Sequence, residues 1–160
     1  MLGSPHVELD SVYHQPDWTP LGEEEFRARV ADATESPHWV VDGNYSAVRD
    51  IVWQKADTVV WFDLPYATVL WRTVRRTVRR TITREELWNG NREPLSNLWS
   101  LNPEHSIIAW AATKHPVYRR RYAADVRDPQ WARLHFVRLR TQGEADAFLA
   151  GVTSATTKEE

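Results

Sequence analysis

Two short apolar runs that end in aspartate constrain this chain more than any other feature: His38-Trp39-Val40-Val41-Asp42 and Thr58-Val59-Val60-Trp61-Phe62-Asp63. Neither alternates with period two. Each reads as a strand with apolar residues on both faces, and such strands belong in a parallel sheet that is covered on both sides. Parallel neighbours need crossovers, and helical segments supply them. Glu23 to Glu35 reads as a helix with acids in its first turn, where the dipole favours them. Tyr45 to Lys55 and the long amphipathic run from Tyr66 to about Arg84 follow. Pro103 to Asp128 reads as helix interrupted near Pro116, and Gly143 to Gly151 as a short last helix. His6 to Asp10 is a short first strand. Leu134 to Arg140, mixed in polarity, is an edge strand. The expected fold class is α/β with a parallel sheet.

With 160 residues and 18.6 kDa the chain fits one domain. It contains no cysteine, which excludes a disulfide framework and thiolate chemistry. No apolar run approaches the ~20 residues of a membrane span. The first residues lack a basic stretch followed by an apolar one, so the expected location is cytoplasmic, with no membrane partner. The formal net charge of −2 gives no case for nucleic acid. Lysine stands only at positions 55, 114 and 158, so 17 of the 20 basic residues are arginine, whose planar fork suits phosphate and carboxylate.

Ligands of parallel α/β sheets bind at the carboxyl ends of the strands. Asp10, Asp42 and Asp63 would gather along that edge. Asp42, beside Gly43, is placed either to hold a hydrated Mg²⁺ or to cap the helix that begins near Tyr45. Asp10 is a substrate or metal contact, or a turn former; Asp63 reads as a cap or turn residue. On the long helix Arg72, Arg75, Arg76, Arg79 and Arg80 share one face at ~100° per residue. Leu70, Trp71, Val74, Val78 and Ile82 take the other and are expected to anchor it. Five like charges side by side repel one another, and a polyanion between them would relieve that. Arg84 and Arg92 extend the row. The histidines show no metal-ligand spacing, and no Gly-x-Ser-x-Gly elbow is present.

Val7-Glu8-Leu9-Asp10, the segments Trp39–Ser46 and Ala56–Pro65, the arginine helix and Arg84–Glu93 together resemble the P-loop kinases known as adenylate kinase-like or topology modulation proteins. The resemblance runs from residue 2 to about 150. It implies a three-layer P-loop NTPase fold of the nucleoside-monophosphate-kinase kind and phosphoryl transfer from ATP with Mg²⁺ to a nucleotide or other small acceptor. Asp42, Arg76 and Arg80 would then be catalytic, with Asp42 also the metal ligand. Arg72, Arg75, Arg79 and Arg84 would hold ATP, while Asp10, His14, Trp18, Asn44 and Arg92 would line the acceptor site. A single domain over 1–151, with an arginine-rich lid at about 66–95 and a disordered tail at 152–160, is expected.

One family feature is missing: none of the six glycines is followed by lysine, so there is no Gly-x-x-x-x-Gly-Lys-Ser/Thr loop. The expected explanation is a start set too late, with ~20–30 upstream codons encoding a strand, the loop and a helix. The chain alone is then expected to be inactive. In that fold the first strand lies beside Trp39–Asp42, and Val59–Asp63 beside Leu134–Leu139, with a slot between the pairs. A nucleic-acid or phosphate-binding protein, or a degenerate non-catalytic fragment, are the alternatives.

Overall fold

Parallel pairing organises the strands as two separate ribbons. The computed structural model describes residues 4–103 and 105–156. β1 (His6–Glu8) pairs in parallel with β2 (Val40–Asp42), Val7 opposite Val41. β3 (Thr58–Phe62) pairs in parallel with β4 (His135–Leu139), Val60 opposite Val137. Among the described residues no ladder joins β2 to β3. The pairs are those expected, and the expectation of apolar strands buried on both faces is corrected. Val40 is 41% and Phe62 61% exposed, so one face of each strand is only partly covered.

The chain divides into two compact units, one built from the segment up to Phe62 together with that from Arg133 onward, the other from Asp63–Ala132. The first unit closes on an apolar core. α1 (Leu9–Tyr13) begins immediately after β1, so Asp10 stands in a helical first turn and not at a strand end as expected. α2 (Glu23–Ala33) buries Phe26 and Val30, which are one turn apart, against Leu9 and Val48. Its C-terminal carbonyls are satisfied from outside, since Lys55 Nζ donates to Ala31 O at 3.1 Å and to Thr34 O at 3.4 Å. The expected helix from Tyr45 starts later, as a 3₁₀ turn at Ser46–Val48 followed by α3 (Arg49–Lys55). Arg133 donates to the carbonyls of Ala56 (2.8 Å) and Trp53, which ties the β4 approach to the end of α3. α6 (Gln142–Thr156) runs five residues past the expected end at Gly151, since a glycine inside a helix weakens it without ending it. The expected tail falls partly on this helix, and residues 157–160 lie outside the described residues.

The second unit consists of α4 (Tyr66–Thr83) and α5 (Ile107–Asp125) with turns between them. α5 is one helix through Pro116, not two. Pro116 is exposed, so the carbonyl it leaves unpaired can turn to water. Ser106 caps it by accepting from Ala109 N–H at 3.3 Å. α4 departs from expectation in what it buries. Thr73 and Thr77 are its buried residues, while Trp71, Val78 and Ile82 are 64%, 37% and 75% exposed. At ~100° per residue, Thr73 and Thr77 lie between the arginine flank and the apolar flank. α4 packs chiefly on α5, and these two small side chains are the ones it buries.

Candidate functional site

The structure gathers one group of the expected site residues in the first unit. The Tyr45 hydroxyl donates to Asp10 Oδ1 at 2.6 Å and lies 3.3 Å from His14 Nε2. Since that hydroxyl spends its proton on Asp10, the His14 Nε2–H is the donor of the second bond. His14 meets the Trp18 ring edge-on at 5.2 Å, and Tyr13 stands 5.1 Å from His14 and 4.9 Å from Tyr45. Asp10, His14 and Trp18 thus come together as expected. Tyr45, which joins them, was missed. Its position after Asp42-Gly43-Asn44 was visible in the sequence, but no local pattern says that a residue 35 positions away would meet Asp10. Burial holds the His14 pKa below its ordinary value, against the opposing pull of Asp10.

Asp42 ends β2, exposed, and no hydrogen bond or ion pair holds it among the described residues. The capping alternative falls away, because neither the turn at Ser46 nor α3 receives a side-chain cap. Gly43 has φ +133°, and a Cβ there would stand 2.8 Å from Leu9 Cβ, so the chain can leave β2 at this angle only with glycine. Asn44 beside it is also exposed and unpartnered among the described residues. Asp63 does not share this environment. It is buried, its Oδ1 lies 3.0 Å from Arg119 Nε, and Pro65 takes the N-cap position of α4. The three aspartates differ in environment: Asp10 bonds tyrosine, Asp42 is open, and Asp63 is paired with arginine.

In the second unit the arginine row is only partly open. Arg79 Nη2 reaches Glu85 at 2.8 Å. Arg80, with its side chain 19% exposed, sits 3.5 Å from Glu85 and 3.9 Å from Glu93. Arg92 pairs with Glu86 at 3.8 Å. Arg75, Arg76 and Arg84 are exposed and have no partner among the described residues; Arg72 is exposed as well. The repulsion expected of five like charges is thus relieved in part by Glu85 and Glu93. A hollow of about 780 Å³ in the same unit is lined by Asn102, Pro103, Trp110, Thr113 and Lys114, none of which the sequence singled out.

Charge separates the units. Asp63–Ala132 holds twelve basic and seven acidic residues, a formal +5, and the rest of the chain eight and fifteen, −7. Among the described residues no group of three or more His, Asp or Glu could hold a bare metal ion, and no helix is long and apolar enough to cross a membrane. No family model, no curated protein and no solved structure matches the chain.

Proposed function

We propose that this chain is the scaffold of an adenylate kinase-like phosphotransferase. In this reading the phosphates of ATP meet the arginines of α4, a hydrated Mg²⁺ meets Asp42, and a small hydroxyl acceptor meets Asp10, His14 and Trp18. The observation that supports it most is the strand arrangement. Two parallel pairs, β1 with β2 and β3 with β4, are the pairings that the resemblance implies. Without the glycine loop these 160 residues bind and do not turn over.

The donors fit the cofactors to different degrees. Mg²⁺ keeps most of its water and needs one or two carboxylates, and Asp42 is one open carboxylate at a strand end. The forks of Arg75 and Arg76 suit phosphate oxygens. The cradle of successive backbone N–H groups that holds the inner phosphates has no counterpart in the sequence. When bound, ATP supplies the phosphoryl group and Mg²⁺ neutralises its oxygens. Asp42 would orient the ion's waters, and Arg75 and Arg76 would fix the phosphates.

Calorimetric titration with Mg·ATP tests this. Exchange of Arg75, Arg76 and Arg79 for glutamine is expected to weaken binding at least about tenfold, with little change in thermal midpoint. Unchanged affinity would remove the phosphate role of α4. A second reading, nucleic-acid binding, gains support from the +5 of the second unit and the exposed Trp71. It predicts a steep fall of RNA or DNA affinity with salt.

A further inference from the structure

One buried donor on α4 lacks an acceptor. Arg80 Nε is shielded from solvent, and among the described residues no atom reaches it with hydrogen-bond geometry. A charged donor left open in this way is costly, and it calls for an occupant. Glu85 Oε1 stands 3.5 Å from it, an ion pair and not a hydrogen bond. The other oxygen of the same carboxylate, Oε2, lies 2.8 Å from Arg79 Nη2. One carboxylate therefore bridges two successive guanidinium groups, well seated on the first and loosely on the second.

The two acids that meet Arg80 are held differently. Glu93 Oε1 lies 3.9 Å from Arg80 Nη1, and the Glu93 side chain is only 9% exposed. Its other oxygen accepts from Asn97 Nδ2. Asn97 is buried in turn: its Oδ1 accepts from Ile107 N–H at 3.2 Å and its carbonyl from the Ser106 hydroxyl at 2.9 Å. Glu93 is thereby tied to the start of α5. Glu85 has no such tie. Its side chain is 33% exposed, and among the described residues its carboxylate meets only the two arginines. Arg84, left-handed at φ 51°, turns the chain so that Glu85 N–H bonds Arg80 O at 3.2 Å and the carboxylate folds back onto α4. Ion pairs this open contribute little, so an arriving anion can displace Glu85 at small cost.

We infer that Arg79 and Arg80 form an oxyanion site for a phosphate group, that Glu93 positions Arg80 in it, and that Glu85 occupies it as a built-in competitor until the phosphate arrives. Guanidinium forks take carboxylate and phosphate oxygens alike. A phosphate brings more oxygens than a carboxylate, and one of them satisfies the Arg80 Nε–H that Glu85 leaves open. Glu85 is then the gate and Glu93 the anchor, although both are glutamates beside the same arginine. The inference rests on the phosphate reading of α4 and adds to it a buried donor and a control on access.

The test is a titration of the full chain with inorganic pyrophosphate at constant ionic strength, read by calorimetry and by the Arg80 Nε–H resonance. Pyrophosphate is expected to move that resonance saturably. Glu85→Gln should tighten binding about fivefold, because the competitor is gone. Glu86→Gln makes the same change of charge one residue on, where the carboxylate faces Arg92 at 3.8 Å, and should alter affinity less than about twofold. Glu93→Gln should weaken binding, since Arg80 loses its anchor, although a negative charge is removed there too. Equal affinity in the unaltered chain and Glu85→Gln, an equal gain in Glu86→Gln, or a gain in Glu93→Gln would each overturn the inference and leave the phosphate reading of α4 standing. Pyrophosphate binding by none of the proteins, Glu85→Gln included, would remove that reading together with the inference.

Discussion

The two units of this chain solve the burial problem with different materials. The first, formally −7, closes on Leu9, Phe26, Val30 and Val48, ringed by Tyr13 and Tyr45. The second, formally +5, packs α4 on α5, buries Thr73, Thr77 and Ala111, and leaves Trp71 and Ile82 exposed. An aromatic core is rigid and can hold a catalytic or binding cluster to within a fraction of an ångström. A seam of threonines brings backbones close and leaves the large side chains free. The difference teaches that the arginine helix is positioned by its narrowest strip, not by the apolar face that its sequence advertises.

The sharpest way to break this comparison is to hollow out the first core. Phe26 is fully buried and stacks edge-on against Tyr13 and Tyr45 at 5.1 and 5.3 Å. Phe26→Ala should cost about 3–5 kcal/mol, read as a fall in urea midpoint, and should loosen Tyr45 from Asp10. A loss below 1 kcal/mol, by about a factor of three less than the smallest such value, would show that the cluster is not the core of its unit. Gly43→Ala comes next. The added Cβ meets Leu9 Cβ at 2.8 Å, and φ +133° is closed to alanine, so a loss of about 2–4 kcal/mol is expected. Undiminished stability would mean that β2 and α1 can part at no cost.

One substitution type should act with opposite sign in the two units. Thr34 Oγ1 in the first unit donates to Val30 O at 2.9 Å and accepts from Lys55 Nζ at 3.3 Å. Thr77 Oγ1 in the second is buried without a hydrogen-bond partner among the described residues. Thr34→Val should cost about 1 kcal/mol, while Thr77→Val should gain about 1 kcal/mol by removing an unsatisfied hydroxyl. Equal signs in the two melting curves would dissolve the contrast between core and seam.

How far the sequence disclosed this arrangement follows the range of the interactions. Val59-Val60-Trp61 and the Glu23–Val30 periodicity are local, and they place β3 and α2 within a few residues. Parallel pairing of β1 with β2 and of β3 with β4 was legible through the family resemblance, not through spacing. The apolar stripe of α4 misled because periodicity shows which residues share a face and not which face finds a partner. Asp63 misled in the same way: a carboxylate before Leu64-Pro65 looks like a cap until Arg119, 56 residues on, comes to neutralise it. The Asp10–Tyr45 bond has a separation of 35 residues and no sequence signature. Asp42 was legible in position, and the helix starts remove only its capping role.

The smallest effect concerns the proton balance of the first unit. Each unit holds a histidine against an aromatic ring. His115 in the second donates from Nε2 to Leu64 O at 3.0 Å, whereas His14 in the first faces a carboxylate through Tyr45. Burial lowers the His14 pKa from 6.5, and Asp10 opposes that shift without cancelling it. A histidine whose pKa is lower in the folded state is protonated first in the unfolded chain, so the unfolded state binds more protons in that interval. The stability of the chain should therefore be level above pH about 7, fall as pH drops through 6.5 toward the folded pKa, and level off below it. Carboxylate titration adds its own slope only at lower pH. His14→Gln should remove the fall. Asp10→Asn should move the His14 titration lower still and widen the interval, because the attraction that favours imidazolium is gone. A ring-proton titration with its midpoint at or above 6.5 would reverse the sign, and would mean that the Asp10 carboxylate, not burial, governs this cluster.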